Sequence, residues 1–268
     1  TDVPATDAAA ARFLRQTSFG ARDEDLELLR YIGYAAWFED QAGKPPSLHR
    51  AYVQRFGDDA NQGHRNQRWW QAAVTGNDQL RQRVAWALSQ IFVISDESDV
   101  LVGDPVGCAE YYDILVRNAF GSYRQLLEEV TLSPQMGRYL SMIFNRKADP
   151  LEKIRPDENY AREVLQLFSI GLWRLNADGS QQLDGFGAPL PTYDQLVVEN
   201  FARVFTGWAY GDTQYFWEGS DSFAPMRNFL DYHDTDAKTI LDGATLPGGL
   251  TGEEDLALAL DAIAAHPN

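Results

Sequence analysis

"NDQLRQRVAWALSQIFVIS", residues 77–95, decides the fold class. At about 100° per residue, Leu80, Val84, Ala85, Ala87, Leu88, Ile91 and Phe92 cover well over half of a helical circumference. A helix that is apolar most of the way round is expected to be buried. The stretch therefore reads as the spine of the fold, with Asn77 or Asp78 as its N-cap.

Helical periodicity continues on both sides of it. Upstream, "TDAAAARFLRQTSFG" opens on the cap candidates Thr6 and Asp7. "RDEDLELLRYIG" places acids in its first turn, where the helix dipole favours them, and Gly33 as its stop. "YAAWFEDQ" and "HRNQRWWQAAVTG" read as further helices on either side of the proline break in "AGKPPSL". Downstream come "CAEYYDILVRNAFG", "SYRQLLEEVTLS" and "PQMGRYLSMIF", with Pro134 suited to a first turn. "ENYAREVLQLFSIG", "YDQLVVENFARVFTGW" and "EEDLALALDAIAAH" complete the set, and Asp178-Gly179 marks a hairpin turn. The expectation is a mainly α, multi-helical globular domain over residues 1–268, with roughly ten helices and one small β-hairpin. Helices 77–95 and 158–170 are expected at its centre.

The 268 residues carry 39 acidic against 23 basic side chains, a formal net charge of −16. Such a surface repels phosphate backbones and anionic membranes, so nucleic acid is excluded as a partner class. Cationic ligands, divalent metals and basic proteins stay allowed. Cys108 is the single cysteine, which rules out an intrachain disulfide, and no histidine-rich neighbourhood in sequence activates it. No apolar run is long enough to span a bilayer. The 7 Trp, 12 Tyr and 14 Phe fit a well-packed interior and equally offer platforms for a ring-shaped ligand such as a sugar.

"ENYAR" at 158–162 returns as "ENFAR" at 199–203. On the first helix Tyr160, Ala161, Val164, Leu167 and Phe168 share one side; Glu158 and Arg162 oppose them, with Asn159 and Glu163 at the edge. On the second, Val197, Phe201, Val204, Phe205 and Trp208 form the apolar side, opposed by Glu199 and Arg203. In both, Glu precedes Arg by four residues, the favourable order for a helical ion pair. Two readings follow. Either each pair lies on a solvated face and contributes a few tenths of a kcal/mol, or the two faces meet at a cleft that holds an ion, a sugar or an acid–base pair.

"AARFLRQTSFGARDEDLELLRYIGYAAWFEDQ", "LRQRVAWALSQIFV", "PDENYAREVLQLFSIGLWRLNADGS", "FARVFTGW" and "HDTDAKTIL", in this order, resemble the bacterial family called domain of unknown function 1800. The resemblance implies an exported protein, periplasmic or secreted, working beside an envelope partner protein. It also implies a longer chain, so that residues 1–268 are expected to be an N-terminal fragment lacking a C-terminal helical segment. The family's recurrent polar positions fall on Glu158, Asn159, Arg162, Glu163, Arg203, Thr206, Trp208, His233, Asp234 and Lys238. An acid that the family often carries near Gln166 is not present.

"YHDTDAK" gathers His233, Asp234, Asp236 and Lys238, either to fix a loop by hydrogen bonds or to contribute to a site. None of the four histidines, His49, His64, His233 and His266, has HExxH spacing, and no metal site is assigned. "NADGSQQLD" lacks the closing Glu of a calcium loop. Trp69-Trp70 and Tyr215-Phe216-Trp217 suit either core packing or stacking on sugars. Phosphate loops and G-x-S-x-G elbows are absent.

Two functions are therefore carried forward. One is a hydrolase-like enzyme acting on a polysaccharide or cell-envelope substrate. In it Glu158, Glu163 and His233 are catalytic, and Asn159, Arg162, Arg203, Trp208, Asp234 and Lys238 bind substrate. The other is a non-catalytic helical scaffold or binding module. Neither names a cofactor.

Overall fold

The computed structural model describes residues 2–268. The described residues form twelve α-helices and two small two-stranded antiparallel sheets, so the fold is mainly α. The chain divides into two compact units, residues 1–122 and 123–268.

The first unit holds α1 (Asp7–Thr17), α2 (Asp23–Ile32), α3 (Tyr34–Gly43), α4 (Arg50–Gln54), α5 (Gln62–Thr75), α6 (Gln79–Ser89) and α7 (Pro105–Arg117). Thr6 caps α1, its hydroxyl accepting from the Ala9 N–H at 3.2 Å. Gly33 links α2 to α3 at φ +86°, where a Cβ would lie 2.8 Å from Asp2. Ala10, Leu14, Leu29 and Trp37 close a small core among α1–α3, each large side chain contributing about 1.5–3 kcal/mol through burial.

The 77–95 helix is central in packing, since α6 meets α1, α3, α5 and α7, but α7 is the more buried helix of this unit. Nine of the thirteen α7 residues are buried, against Gln79, Gln82 and Ala85 alone on α6. Part of the exposure of the 77–95 stretch follows from where α6 stops. Its helix ends at Ser89, so Ile91 and Val93 fall in irregular backbone and stand 45% and 43% exposed. Asp78 does sit at the α6 N-cap position, but its carboxylate turns to the backbone N–H and hydroxyl of Ser47 at 2.8 and 2.6 Å.

The second unit holds α8 (Tyr123–Thr131), α9 (Pro134–Tyr139), α10 (Asn159–Gln166), α11 (Gln195–Val204) and α12 (Gly252–Ala264). Pro134 occupies the first turn of α9. Tyr160, Ala161 and Val164 of α10 are buried, with Phe201, Phe205 and Trp208 of the second repeat. Leu167 is 61% exposed, because α10 ends at Gln166 and the chain turns away there. Between α10 and α11 the chain runs through a narrow meander stitched by the bridges Trp173–Pro191, Leu175–Gln181 and Leu183–Pro189. Its first turn is the expected one, with Gly179 at φ +82° and the Asn176 N–H donating to Ser180 O. After α11, β1 (Trp208–Ala209) pairs antiparallel with β2 (Arg227–Asn228), and β3 (Lys238–Thr239) with β4 (Thr245–Leu246). Thr251 and Glu254 form a reciprocal capping box at the start of α12. Among the described residues no helix is long and apolar enough to cross a membrane.

Candidate functional site

The two repeated helices pack against each other, and a glutamine joins their acidic residues. Glu158 Oε2 accepts from Arg162 at 2.5 Å and from Gln195 Nε2 at 2.9 Å. The same amide nitrogen reaches Glu199 Oε1 at 3.3 Å, while Gln195 Oε1 accepts from Arg162 at 2.9 Å. The Glu158–Arg162 ion pair thus forms as the spacing predicts, with side chains 31% and 47% exposed. In that setting it contributes less than about 1 kcal/mol. Asn159 is exposed, its backbone N–H held by Asp157 Oδ1 at 2.8 Å. Glu163 is half-buried, and its Oε2 is buried without a hydrogen-bond partner. Beside it, burial pushes the Tyr193 hydroxyl above its ordinary pKa; the Arg162 charge opposes this and the Glu163 charge adds to it.

The second repeat does not copy the first. Arg203 passes over Glu199 and takes both carboxylate oxygens of Asp234, at 2.8 and 2.9 Å, together with Asn200 Oδ1 at 2.7 Å. A two-pronged match to a carboxylate outcompetes a single helical neighbour. Burial opposes the charge on Asp234. The Arg203 hydrogen bonds, the Asp236 N–H and the charges of Arg203 and Lys238 prevail and hold its carboxyl below the ordinary range.

Behind that pair lies a sealed cluster. His233 and Asp255 are 0% exposed and Lys238 is 1% exposed. Lys238 Nζ donates to Asp255 Oδ2 at 2.5 Å and to the carbonyls of Asp234 and Asp236 at 2.5 and 3.0 Å. His233 Nδ1 lies 2.9 Å from the Thr206 carbonyl and Nε2 lies 3.1 Å from Asp255 Oδ2. The Thr206 carbonyl and the Asp255 carboxylate thus face the two ring nitrogens as hydrogen-bond acceptors. Thr206 completes the latch, its hydroxyl accepting from the Asp234 N–H at 2.9 Å and donating to Arg203 O at 2.6 Å. Trp208 is 2% exposed and its Nε1 is buried without a partner.

Most of the sequence-predicted residues fall into two hydrogen-bonded sets that share no member, with Asn159, Glu163 and Trp208 in neither. Glu158, Arg162, Gln195 and Glu199 form an open surface network. Arg203, Thr206, His233, Asp234, Lys238 and Asp255 bolt the 233–238 loop to the end of α11 and to the first turn of α12. The second set can fix backbone, but its interior members meet no solute without an opening of the unit.

A cleft of about 570 Å³ lies elsewhere, in the first unit, lined by His49, Arg65, Trp69, Trp70, Trp86 and Tyr112 among others. A second hollow of about 460 Å³ shares the same three tryptophans and adds Phe19 and Arg83. Both volumes lie in the range of small-ligand sites. Trp69 is held edge-on by Phe19 and Trp70, with ring centroids 5.3 and 5.0 Å away, and its Nε1 donates to the Tyr112 hydroxyl at 3.0 Å. Trp70, next on α5, is 62% exposed. The Arg83 guanidinium covers Trp86 at 4.6 Å. Burial first, then the Asp113 charge, push the Tyr112 hydroxyl up to about 12 against the opposing hydrogen bond from Trp69.

Sequence reasoning identified the tryptophan pair as a stacking candidate and missed the rest of this cleft. His49 and Asp113 are 64 positions apart and joined only by the fold. Cys108, which has no histidine near it in sequence, lines the same cleft as His49. Among the described residues no group of three or more His, Cys, Asp or Glu side chains is placed to hold a metal ion.

The model of one family, described as Protein of unknown function (DUF1800), matches residues 12–268. No curated protein and no solved structure matches the chain.

Proposed function

We propose, from the premise that this chain belongs to the DUF1800 family of proteins of unknown function, that it is an exported glycan-binding module. The reading takes the ligand class from the polysaccharide hypothesis and the absence of chemistry at Glu158 and His233 from the binding-module one. One observation carries it: the cleft walled by Trp69, Trp70 and Trp86, with Trp70 62% exposed. A large exposed indole is costly to leave in water, and its flat apolar face matches the C–H face of a sugar ring. Polar groups on the same wall are available to the ring's hydroxyl edge, as in other concave sites of this size. The periplasmic or secreted location, implied by the family resemblance, belongs to this proposal.

The test is calorimetric titration of soluble cello-, xylo- and chito-oligosaccharides, with intrinsic tryptophan fluorescence as a second readout. At least one series is expected to bind and to quench, and Trp70→Ala is expected to abolish the response while leaving the circular dichroism unchanged. A wild-type protein silent to every series would overturn the reading.

A hydrolase reading keeps one supporting observation, the buried and unpartnered Oε2 of Glu163. It predicts release of reducing ends from a bound oligosaccharide, lost in Glu163→Gln. Absence of any release by wild type removes it.

A further inference from the structure

Tryptophans account for stacking in the cleft, but they do not say how a ligand's polar edge is recognised. Two residues of the wall have hydrogen-bonding capacity left over. His49 is 3% exposed and stands at the N-cap of α4. Asp113, 1% exposed, takes the backbone N–H groups of His49 and Arg50 at 2.7 and 2.9 Å, and its Oδ1 lies 3.0 Å from His49 Nδ1. A carboxylate that already accepts from two backbone N–H groups has no proton to give, so the contact with Nδ1 requires the proton to sit on the imidazole. In the neutral ring that fixes the tautomer and leaves Nε2 as a lone-pair acceptor. Nε2 is buried and has no partner. An unsatisfied buried polar atom of this kind is uncommon and calls for an explanation.

Tyr112 supplies the complementary group. Its ring stands edge-on to His49, with centroids 4.7 Å apart and planes at 75°. Its hydroxyl oxygen accepts from Trp69 at 3.0 Å, which uses a lone pair and leaves the O–H proton to donate. With the pKa pushed up to about 12, that proton stays in place at neutral pH. The charged wall residue Arg65 is already paired with Asp96, so it does not call for an anionic ligand.

Resting on the ring-binding reading above, we infer that His49 and Tyr112 are a hydroxyl-reading pair that sets the specificity of the cleft. The ligand is an uncharged hydroxylated ring. One of its hydroxyls donates to His49 Nε2, a neighbouring ring oxygen or the same one accepts from the Tyr112 O–H, and the ring face stacks on tryptophan. Asp113 is the positioning residue that holds the acceptor in the right tautomer. The pair prefers a donor-bearing ring over one whose hydroxyls are capped, because a capped ring leaves Nε2 and its surroundings desolvated and unpaired.

The substitutions that test this exploit the geometry of imidazole. In His49→Asn the amide nitrogen stands where Nδ1 was, so the bond to Asp113 can persist while the Nε2 acceptor is deleted. In Tyr112→Phe the donor is deleted. Each is measured by calorimetry against the oligosaccharide that wild type binds and against its O-methylated form. Wild type is expected to bind the free-hydroxyl form about tenfold or more better than the methylated one. His49→Asn is expected to lose about five- to tenfold affinity for the free form and to show a smaller preference between the two, as loss of one well-made hydrogen bond implies. Nitrogen-15 NMR of the imidazole supplies a readout that does not depend on the variants folding. Free wild type is expected to show the proton on Nδ1, and the Nε2 resonance is expected to move on adding the oligosaccharide. If Trp70→Ala abolishes binding while His49→Asn binds as wild type with an unmoved Nε2 resonance, ring binding stands and the hydroxyl-reading pair is refuted. If no oligosaccharide binds wild type, the ring-binding reading fails and takes the pair with it. A proton found on Nε2 in the free protein refutes the pair directly.

Discussion

Replacing Lys238 by methionine separates a structural lock from a reactive site. The ammonium is 1% exposed and rests on three oxygens, Asp255 Oδ2 and the carbonyls of Asp234 and Asp236. Methionine keeps much of the volume and removes the charge. Asp255 then stays fully buried, with His233 at 3.1 Å as its remaining partner and Oδ1 without one. Breaking a buried pair from one side costs about 3–5 kcal/mol, most of it the price of the charge left behind. For a unit of this size that corresponds to a fall in Tm of about 10 °C or more. Calorimetry and urea unfolding read it, with limited proteolysis assigning the shifted transition to residues 123–268. Lys238→Met combined with Asp255→Asn is expected to recover part of the loss, because no full negative charge then remains unpaired. A single-variant loss below about 1 kcal/mol, the scale of an exposed pair, would refute the reasoning. So would a double variant no more stable than the single one.

Arg162→Ala is expected to cost less than about 1 kcal/mol in urea unfolding, since its pair with Glu158 is largely solvated. Asp234 has a folded-state pKa below its unfolded value of about 3.9. Its stabilising contribution is therefore present above that pH and lost as pH falls through the folded value. The stability gap between wild type and Asp234→Asn should accordingly shrink in acid-range melts below about pH 4. Gly207→Ala is expected to destabilise by more than about 1 kcal/mol. Gly207 sits at φ +81°, and a Cβ there would lie 2.9 Å from the backbone of His233 and Phe229; thermal melts read the loss.

Local grammar was legible. Thr6 caps α1, Pro134 starts α9, Gly33 and Gly179 take positive φ, and Tyr160, Val164, Phe201 and Phe205 turn inward as the helical wheel places them. Each depends on a few neighbouring residues. The 77–95 stretch is central as expected but less buried, because an apolar circumference says nothing about where a helix stops, and Ser89 ends it before Ile91 and Val93. The second Glu–Arg pair failed for a similar reason. Spacing identifies a partner one helical turn away, and it is blind to a better one 31 positions on in Asp234.

By itself, the sequence determined a helical chain, a family and the acidic character of its surface, because helix periodicity, caps and charge are properties of short segments and of composition. The identical polar letters of "ENYAR" and "ENFAR" and the loop "YHDTDAK" were compatible with either chemistry or structure. Only the tertiary structure decided what each touches. It sealed His233 and Lys238 around Asp255, left Glu158 and Arg162 largely in solvent, and brought His49 and Tyr112 to one aromatic cleft with Asp113 held against His49. Burial and long-range partnership set what a polar side chain can do, and both are made by packing between segments that the sequence keeps far apart.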